Sequence, residues 1–374
     1  MRSAPAAGHH AGPIVWLGII VSTCLTLFLF QKILWLVVPF LLGLIMYYSV
    51  LPAKTRLVLA GLSHDAAATV VSLIACMVVV AILMVSLPWM ATHAVDWQET
   101  AARYLDGGLS LLIASLNELE RHVSFLARAG LSTQVASQVA DFSARFAKEY
   151  LGAAAMTVAA WAPALLLAPF LTFFMLRDGW RFKRFIGRAV PNAFFERTLY
   201  LLNQVDRTAR NYFIGLLQLT ALDTVCLAFG LWLLGVSAPL ALGFLTAVLA
   251  WIPYIGSVVG CVLVVLVAAT DFPGQPHVAY GAVGLFVFVR MLDDFFFMPM
   301  TVGKSLKLHP LLTVLMIFVG GAVAGVPGLM LVLPVLGVAM VFGETIGRVI
   351  TDERLRARHR HAKALRTAEA ERGL

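Results

Sequence analysis

Apolar residues run along this chain in long blocks separated by short polar connections, and the length of each block limits what it can form. Ile14 to Phe30 and Ile33 to Leu51 are separated only by Gln31 and Lys32. As one helix they would reach about 57 Å, far beyond a hydrocarbon core about 30 Å thick, so the pattern predicts two helices joined by a tight turn. Pro52, Lys54 and Arg56 end the second. A third block, Ala66 to Thr92, finishes near Pro88-Trp89, an aromatic anchor suited to the membrane interface. The fourth, Ala153 to Leu176, carries the kinking Pro163 and Pro169 and stops at Arg177-Asp178-Gly179. Phe213 to Leu234 and Tyr280 to Met300 predict two further spans.

The two longest blocks do not fit a single crossing. Pro239 to Thr270 would make a straight helix of about 48 Å, but Ile252-Pro253-Tyr254-Ile255-Gly256 lies at its middle. Pro310 to Phe342 is likewise interrupted, at Gly325-Val326-Pro327-Gly328, after Gly320-Gly321. Two half-helices meeting at each break fit better. Two threadings satisfy this: eight full spans, or six full spans with both broken segments re-entrant. Both segments open on Pro-Leu, a sign of an internal repeat.

The polar connections have patterns of their own. From His93 to Tyr150, Leu105, Leu109, Leu112, Leu116, Leu119, Val123 and Leu126 alternate spacings of four and three, and the stripe resumes after Gly130 with Val135, Val139, Phe142 and Phe146. This predicts a helical hairpin outside the bilayer, whose stripes either pack on each other or form an oligomerisation or gating cap. Between Trp180 and Tyr212 a helical spacing of Phe195, Leu199, Leu202 and Val205 accompanies many basic residues. That segment is either an amphipathic helix on an anionic membrane face or a plain connector.

Composition agrees. Sixty per cent of the 374 residues are hydrophobic, 13% are charged and the mean hydropathy is +0.88, which together exclude a soluble globular domain. The expected fold class is an all-α polytopic membrane protein with about eight transmembrane segments, two broken or re-entrant, plus an extracytoplasmic helical hairpin. The formal charge of +8 is concentrated in connections, which argues for membrane orientation and against nucleic-acid binding. Lys and Arg number five against seven acids in 93–150, eight against three in 177–212 and eight against five in 344–374. The positive-inside rule places the last two in the cytoplasm and the first outside. Arg2 before the block at Ile14 resembles a signal peptide, but no small-residue cleavage site follows Phe30, so it is expected to remain as the first span, with both termini cytoplasmic. The expected organisation is 1–92 (helices one to three), 93–150 (hairpin), 151–176 (helix four), 177–212 (basic segment), 213–346 (core with broken helices) and 347–374 (basic tail).

Charged side chains at the bilayer centre cost about 2.5–3.5 kcal/mol each, so those inside apolar blocks must face protein or water. Arg290, Asp293 and Asp294 are such a group. Either acid can pair with Arg290, and because adjacent residues point about 100° apart, one acid is expected to be left over to bind a cation or carry a proton, or to snorkel to the interface. Asp223, with Gln218 one turn earlier, lies deep in its block without a helical partner and is expected to line a pathway. His309, beside Pro310, is either a proton-linked switch or a solvated loop residue. Gly303-Lys304-Ser305 imitates a phosphate-binding loop but lacks the earlier glycine, and neither HExxH nor GxSxG occurs, so no enzyme activity is expected. Cys24, Cys76, Cys226 and Cys261 lie in apolar blocks as small fillers; no metal and no cofactor are expected.

The run PLALGFLTAVLAWIPYIGSVVG (Pro239 to Gly260), followed by MPMTVGKSLKLHPLLTVLMIFVGGAVAGVPGLMLVLPVLG (Met298 to Gly337), resembles the paired signatures of the AI-2E, or autoinducer-2 exporter, transporter family. The resemblance extends loosely over almost the whole chain. It implies a bacterial inner-membrane permease acting as a homo-oligomer, some relatives exporting the autoinducer-2 signal and others exchanging sodium for protons. The chain departs from the family at Gly215-Leu216, where relatives carry Gly-Gln, and at Arg290/Asp293/Asp294, which replaces a Gln-rich patch. The resulting expectation is a secondary transporter of a small polar solute. Its alternatives are a sodium/proton antiporter and a non-transporting scaffold assembled through 93–150. Pathway candidates are Gln218, Asp223, Pro253, Tyr254, Gly256, Arg290, Asp293, Asp294, Pro299, Gly303, His309, Gly325, Pro327 and Gly328.

Overall fold

Helix ends in this chain follow glycine more than proline. The computed structural model describes residues 13–30, 37–92, 94–122, 162–189, 195–301 and 310–351, with scattered positions between 135 and 145. Every element among these described residues is helical: α1 Pro13–Phe30, α2 Val37–Leu59, α3 His64–Thr92, α4 Ala94–His122, α5 Ala162–Ala189, α6 Phe195–Leu233, α7 Pro239–Leu249, α8 Ile255–Asp271, α9 Pro276–Leu292, a π-helical turn Asp293–Phe297 with a last turn Met298–Met300, and α10 Pro310–Thr351.

Pro52 does not end α2, contrary to the sequence expectation; the helix continues to Leu59. A proline removes one backbone bond, which a helix can survive, whereas a residue at positive φ cannot continue it. Gly61 (φ 101°) ends α2 and Gly235 (φ 77°) ends α6. Both make the paired C-terminal bonds of a Schellman cap: Gly61 N–H to Val58 and Leu62 N–H to Leu57, then Gly235 N–H to Trp232 and Val236 N–H to Leu231. Similarly, α5 runs on through Arg177-Asp178-Gly179, and α6 is continuous from the basic segment into the apolar block. The change in hydropathy near 177 and 213 therefore marks no break in the backbone. The turn at Gln31-Lys32, most of the second half of the 93–150 hairpin, and the basic tail beyond Thr351 lie outside the described residues.

The described residues divide into two units. One is drawn from 1–34, 181–210 and 305–374. In it α1 packs along α10, with Ile19, Thr23 and Leu27, each four apart, buried on α1. The other is drawn from 35–180 and 211–304. There Thr172 on α5 donates to the carbonyls of Ala168 and of Gly43 on α2, at 2.8 and 3.0 Å, and Leu176 joins Ala68 and Val71 of α3 in a small core. A larger core gathers Leu231 of α6, Leu242 of α7, Val264, Val267 and Ala268 of α8, and Val278 and Ala282 of α9.

Both long apolar blocks are broken where the sequence places the breaks, and both fold back. In the first, a Cβ on Gly256 would overlap the carbonyl of Leu249, and one on Gly260 would lie 3.2 Å from Thr246. Residues symmetric about Pro253 therefore face each other, and α7 and α8 run antiparallel. In α10, Gly325 adopts φ 61°, ψ −146°, a conformation essentially confined to glycine. Here a Cβ on Gly328 would overlap the Gly320 carbonyl, and one on Gly321 would meet Leu329 at 3.0 Å. The block Leu311–Gly343 is long and apolar enough to cross a membrane, as are His64–Ala81 and Thr198–Leu233. Its reversal at Gly325, however, leaves a first half of only about 22 Å.

The leucine stripe of α4 is partly open, and most of the second half of the hairpin, on which one of its two expectations packs it, lies outside the described residues. Leu112 and Leu119 are 45% and 54% exposed. The packed face is the one carrying Tyr104, Gly107 and Gly108, where a Cβ on either glycine would collide with Thr270 or Leu266 of α8. Ser115 and Tyr280 of α9 share a hydrogen bond of 2.7 Å. Glycine permits this close approach, so the pattern of leucines alone does not reveal the contact.

Candidate functional site

The first hairpin places its break beside three charged side chains. Between α7 and α8 the chain turns through Ala250 to Tyr254, and Tyr254 takes φ 63°, ψ −54° while Ile255 N–H bonds to the Pro253 carbonyl at 2.7 Å. This is a γ-turn with positive φ, a rare and strained conformation for a residue with a side chain. Trp251 Nε1 donates to Thr220 Oγ1 at 2.8 Å, which ties the turn to α6 one helical turn before Asp223.

A shallow crevice with a volume of about 20 Å³, room for about one water molecule, opens at this end of the hairpin. It is lined by Asp223 and Leu227 of α6, Thr246, Ala247 and Ala250 at the end of α7, Ser257 of α8, and Phe286, Val289, Arg290 and Asp293 of α9 and the π turn. Asp223 and Asp293 are only 6% and 4% exposed, and Oδ1 of each is buried without a hydrogen-bond partner. Such groups are costly to bury and are tolerated where something uses them. The Thr246 hydroxyl donates to the Leu242 and Gly243 carbonyls, leaving its oxygen free to accept. The polar lining is therefore rich in acceptors, an arrangement able to hold a proton or a cation.

Arg290 pairs with both neighbouring acids, which corrects the expectation that one would be left over. Its Nη1 lies 2.8 Å from Asp293 Oδ2 and its Nη2 3.2 Å from Asp294 Oδ1. Positions three and four residues on straddle the arginine by about 60° and 40°, within reach of a forked guanidinium. The unsatisfied acceptors are instead one oxygen of Asp293 and one of Asp223. In the π turn that follows Arg290, Met298 N–H bonds to the Asp293 carbonyl, one residue beyond the α-helical spacing. Asp294 is half exposed, at 51% of its side chain.

The crevice thus gathers Asp223, Arg290 and Asp293 from the sequence candidates. Pro253, Tyr254 and Gly256 form the adjacent break; Gln218 and Pro299 are exposed and do not line the crevice. Gly325, Pro327 and Gly328 form the break of α10. Gly303, Lys304 and His309 lie outside the described residues. Thr220, Thr246, Trp251, Ser257 and Phe286 were not anticipated. The tryptophan just before Ile252-Pro253 was their one visible signal, since an indole N–H in an apolar block needs an acceptor.

These features define a helical membrane-integral protein in which one of two broken helical segments borders a crevice holding charged side chains. The sequence pattern described as AI-2E family transporter matches residues 17–348, and the chain belongs to that family. It is 30% identical over 205 residues to "Putative transport protein YueF" of Bacillus subtilis (strain 168), covering 55% of this chain and 54% of the relative. To YrrI of the same organism, named in the same way, it is 30% identical over 173 residues, covering 46% and 48%. To MT0215 of Mycobacterium tuberculosis (strain CDC 1551 / Oshkosh), again so named, it is 27% identical over 341 residues, covering 85% of each chain. The chain thus spans about half the length of the Bacillus relatives it matches.

Proposed function

We propose that this protein is a secondary-active transporter that moves a small polar solute, of the autoinducer-2-like class the family name indicates, out of the cytoplasm of a bacterium in exchange for protons. The observation that carries this reading is the pair of buried carboxylate oxygens, Asp223 Oδ1 and Asp293 Oδ1, left unpartnered in one crevice at the break of a folded-back helix. Broken helices are tolerated at membrane depth where they line a pathway, and an intramembrane acid there can alternate between proton-bound and proton-free states. The fold-back of both broken segments supports a re-entrant topology with six full spans and both termini inside. A cysteine at Lys304 labelled from the cytoplasm agrees with that topology, and one labelled from outside requires eight crossings.

The test is flux in proteoliposomes. Asp223→Asn is expected to lower solute efflux driven by a pH gradient at least about tenfold while leaving the folded protein intact. Wild-type flux in Asp223→Asn and Asp293→Asn sinks the carboxylate mechanism. A second reading, a monovalent cation/proton antiporter, is favoured by the balance of three acids against one arginine around the crevice. Sodium flux against a pH gradient without solute flux selects it. Absence of all flux from intact homo-oligomers leaves a scaffold.

A further inference from the structure

The end of α5 carries a surface that the proposed transport chemistry does not use. Successive helical residues point about 100° apart, so Arg184, Arg181, Phe185, Phe182 and Ile186 follow one another around an arc, with Lys183 beyond its far edge. Phe182 and Phe185 are 63% and 69% exposed, and Arg181 and Arg184 are exposed beside them. Lys183 turns away: its Nζ donates to Asp206 Oδ2 of α6 at 2.9 Å, with both side chains 31% exposed. That ion pair fastens the helix and holds the two phenyl rings outward.

We propose that this arc is a binding surface for anionic phospholipid, the two rings entering the acyl boundary while Arg181 and Arg184 meet the headgroup phosphates. Charge complementarity supports that occupant, since residues 177–212 carry eight Lys and Arg against three acids. Continuity supports it too. The arc extends α5 directly from its apolar block, and Phe182 lies six residues beyond Leu176. That is about 9 Å along the axis, close to the depth of the headgroup layer for a tilted helix. Exposed phenylalanines interleaved with arginines suit that boundary better than water, where two large apolar side chains lose their burial energy. The inference rests on the chain being membrane-integral and is independent of what it transports.

The full-length chain in detergent is titrated with phosphatidylglycerol and, separately, with phosphatidylcholine, reading retained lipid by native mass spectrometry and the unfolding temperature. Wild type is expected to retain phosphatidylglycerol preferentially and to unfold at a higher temperature with it. Arg181→Gln/Arg184→Gln is expected to weaken that retention about fivefold per charge, the equivalent of about 1 kcal/mol for each basic residue near such a surface, while the protein remains folded in plain detergent. Arg181→Lys/Arg184→Lys is expected to keep the preference, and Phe182→Ala/Phe185→Ala to lower retention of both lipids. Equal retention of the two lipids by wild type overturns the proposal, as does a preference that survives the glutamine substitutions. Loss of a dimer in Phe182→Ala/Phe185→Ala with lipid retention unchanged also overturns it and assigns the face to a second copy.

Discussion

The two folded-back segments use the same device to reverse and differ in what surrounds the reversal. In each, a glycine just past the break presses its Cα against a carbonyl of the preceding half: Gly256 on Leu249, and Gly328 on Gly320. The α10 reversal needs only Gly325, whereas the α7–α8 reversal takes a five-residue turn with Tyr254 strained and Trp251 anchored to Thr220. Asp223, Arg290 and Asp293 come to the latter from neighbouring helices. Reversal is thus a property of small residues, and chemistry is added to it by other elements.

The largest expected effect breaks the shared device. Gly256→Ala and Gly328→Ala each place a methyl on a backbone carbonyl that cannot swing aside, and each is expected to cost about 3 kcal/mol or more. The readout is recovery of monodisperse protein from detergent, and wild-type thermal stability in either variant removes the close approach as the basis of that hairpin. Next comes Gly325→Ala, forced into a glycine-only conformation, with an expected cost of about 1–3 kcal/mol in unfolding free energy. Trp251→Phe removes a single hydrogen bond from the first turn and is expected to cost about 1 kcal/mol, checked against Thr220→Val in a double-mutant cycle. Without coupling between the two, the turn is not tied as described. Tyr254→Gly has the smallest expected effect, a few tenths of a kcal/mol of either sign in thermal stability, because relieved strain is offset by backbone entropy. A loss above about 2 kcal/mol would mean that the tyrosine ring, and not the turn, is what this position contributes.

Stability and transport should separate at the first hairpin only. Replacing Asp223 by Asn removes a buried charge that has an unpartnered oxygen, so its stability is expected to stay level or rise while flux falls. No substitution among Gly325, Pro327 and Gly328 offers that separation, since those residues carry no titratable group.

Much of this was legible in the sequence, for reasons that can be located. The breaks at Pro253 and Gly325 were visible because each block is too long for one crossing and contains residues that cannot continue a helix. Helix ends are less legible, because a proline such as Pro52 can sit inside a helix while a glycine at positive φ such as Gly61 ends it. Spacing taken one carboxylate at a time does not show that a forked guanidinium on Arg290 can meet Asp293 and Asp294 together. The face of α4 that meets α8 was hidden, since glycines at 107 and 108 look like defects in a leucine pattern until a neighbouring helix is placed on them. Thr246 and Ser257 line one crevice only after the hairpin closes, so spacing along the chain could not pair them.

The π turn at Asp293–Phe297 holds one residue more than an α-helix of the same rise requires. Losing one of Phe295, Phe296 or Phe297 would let an ordinary helix re-form, with Met298–Met300 keeping their direction relative to Arg290. A second loss, with no spare residue left, would turn Met298–Met300 by about 100° relative to Arg290. In-frame loss of one of those phenylalanine codons is therefore a change of length that this part of the protein can absorb.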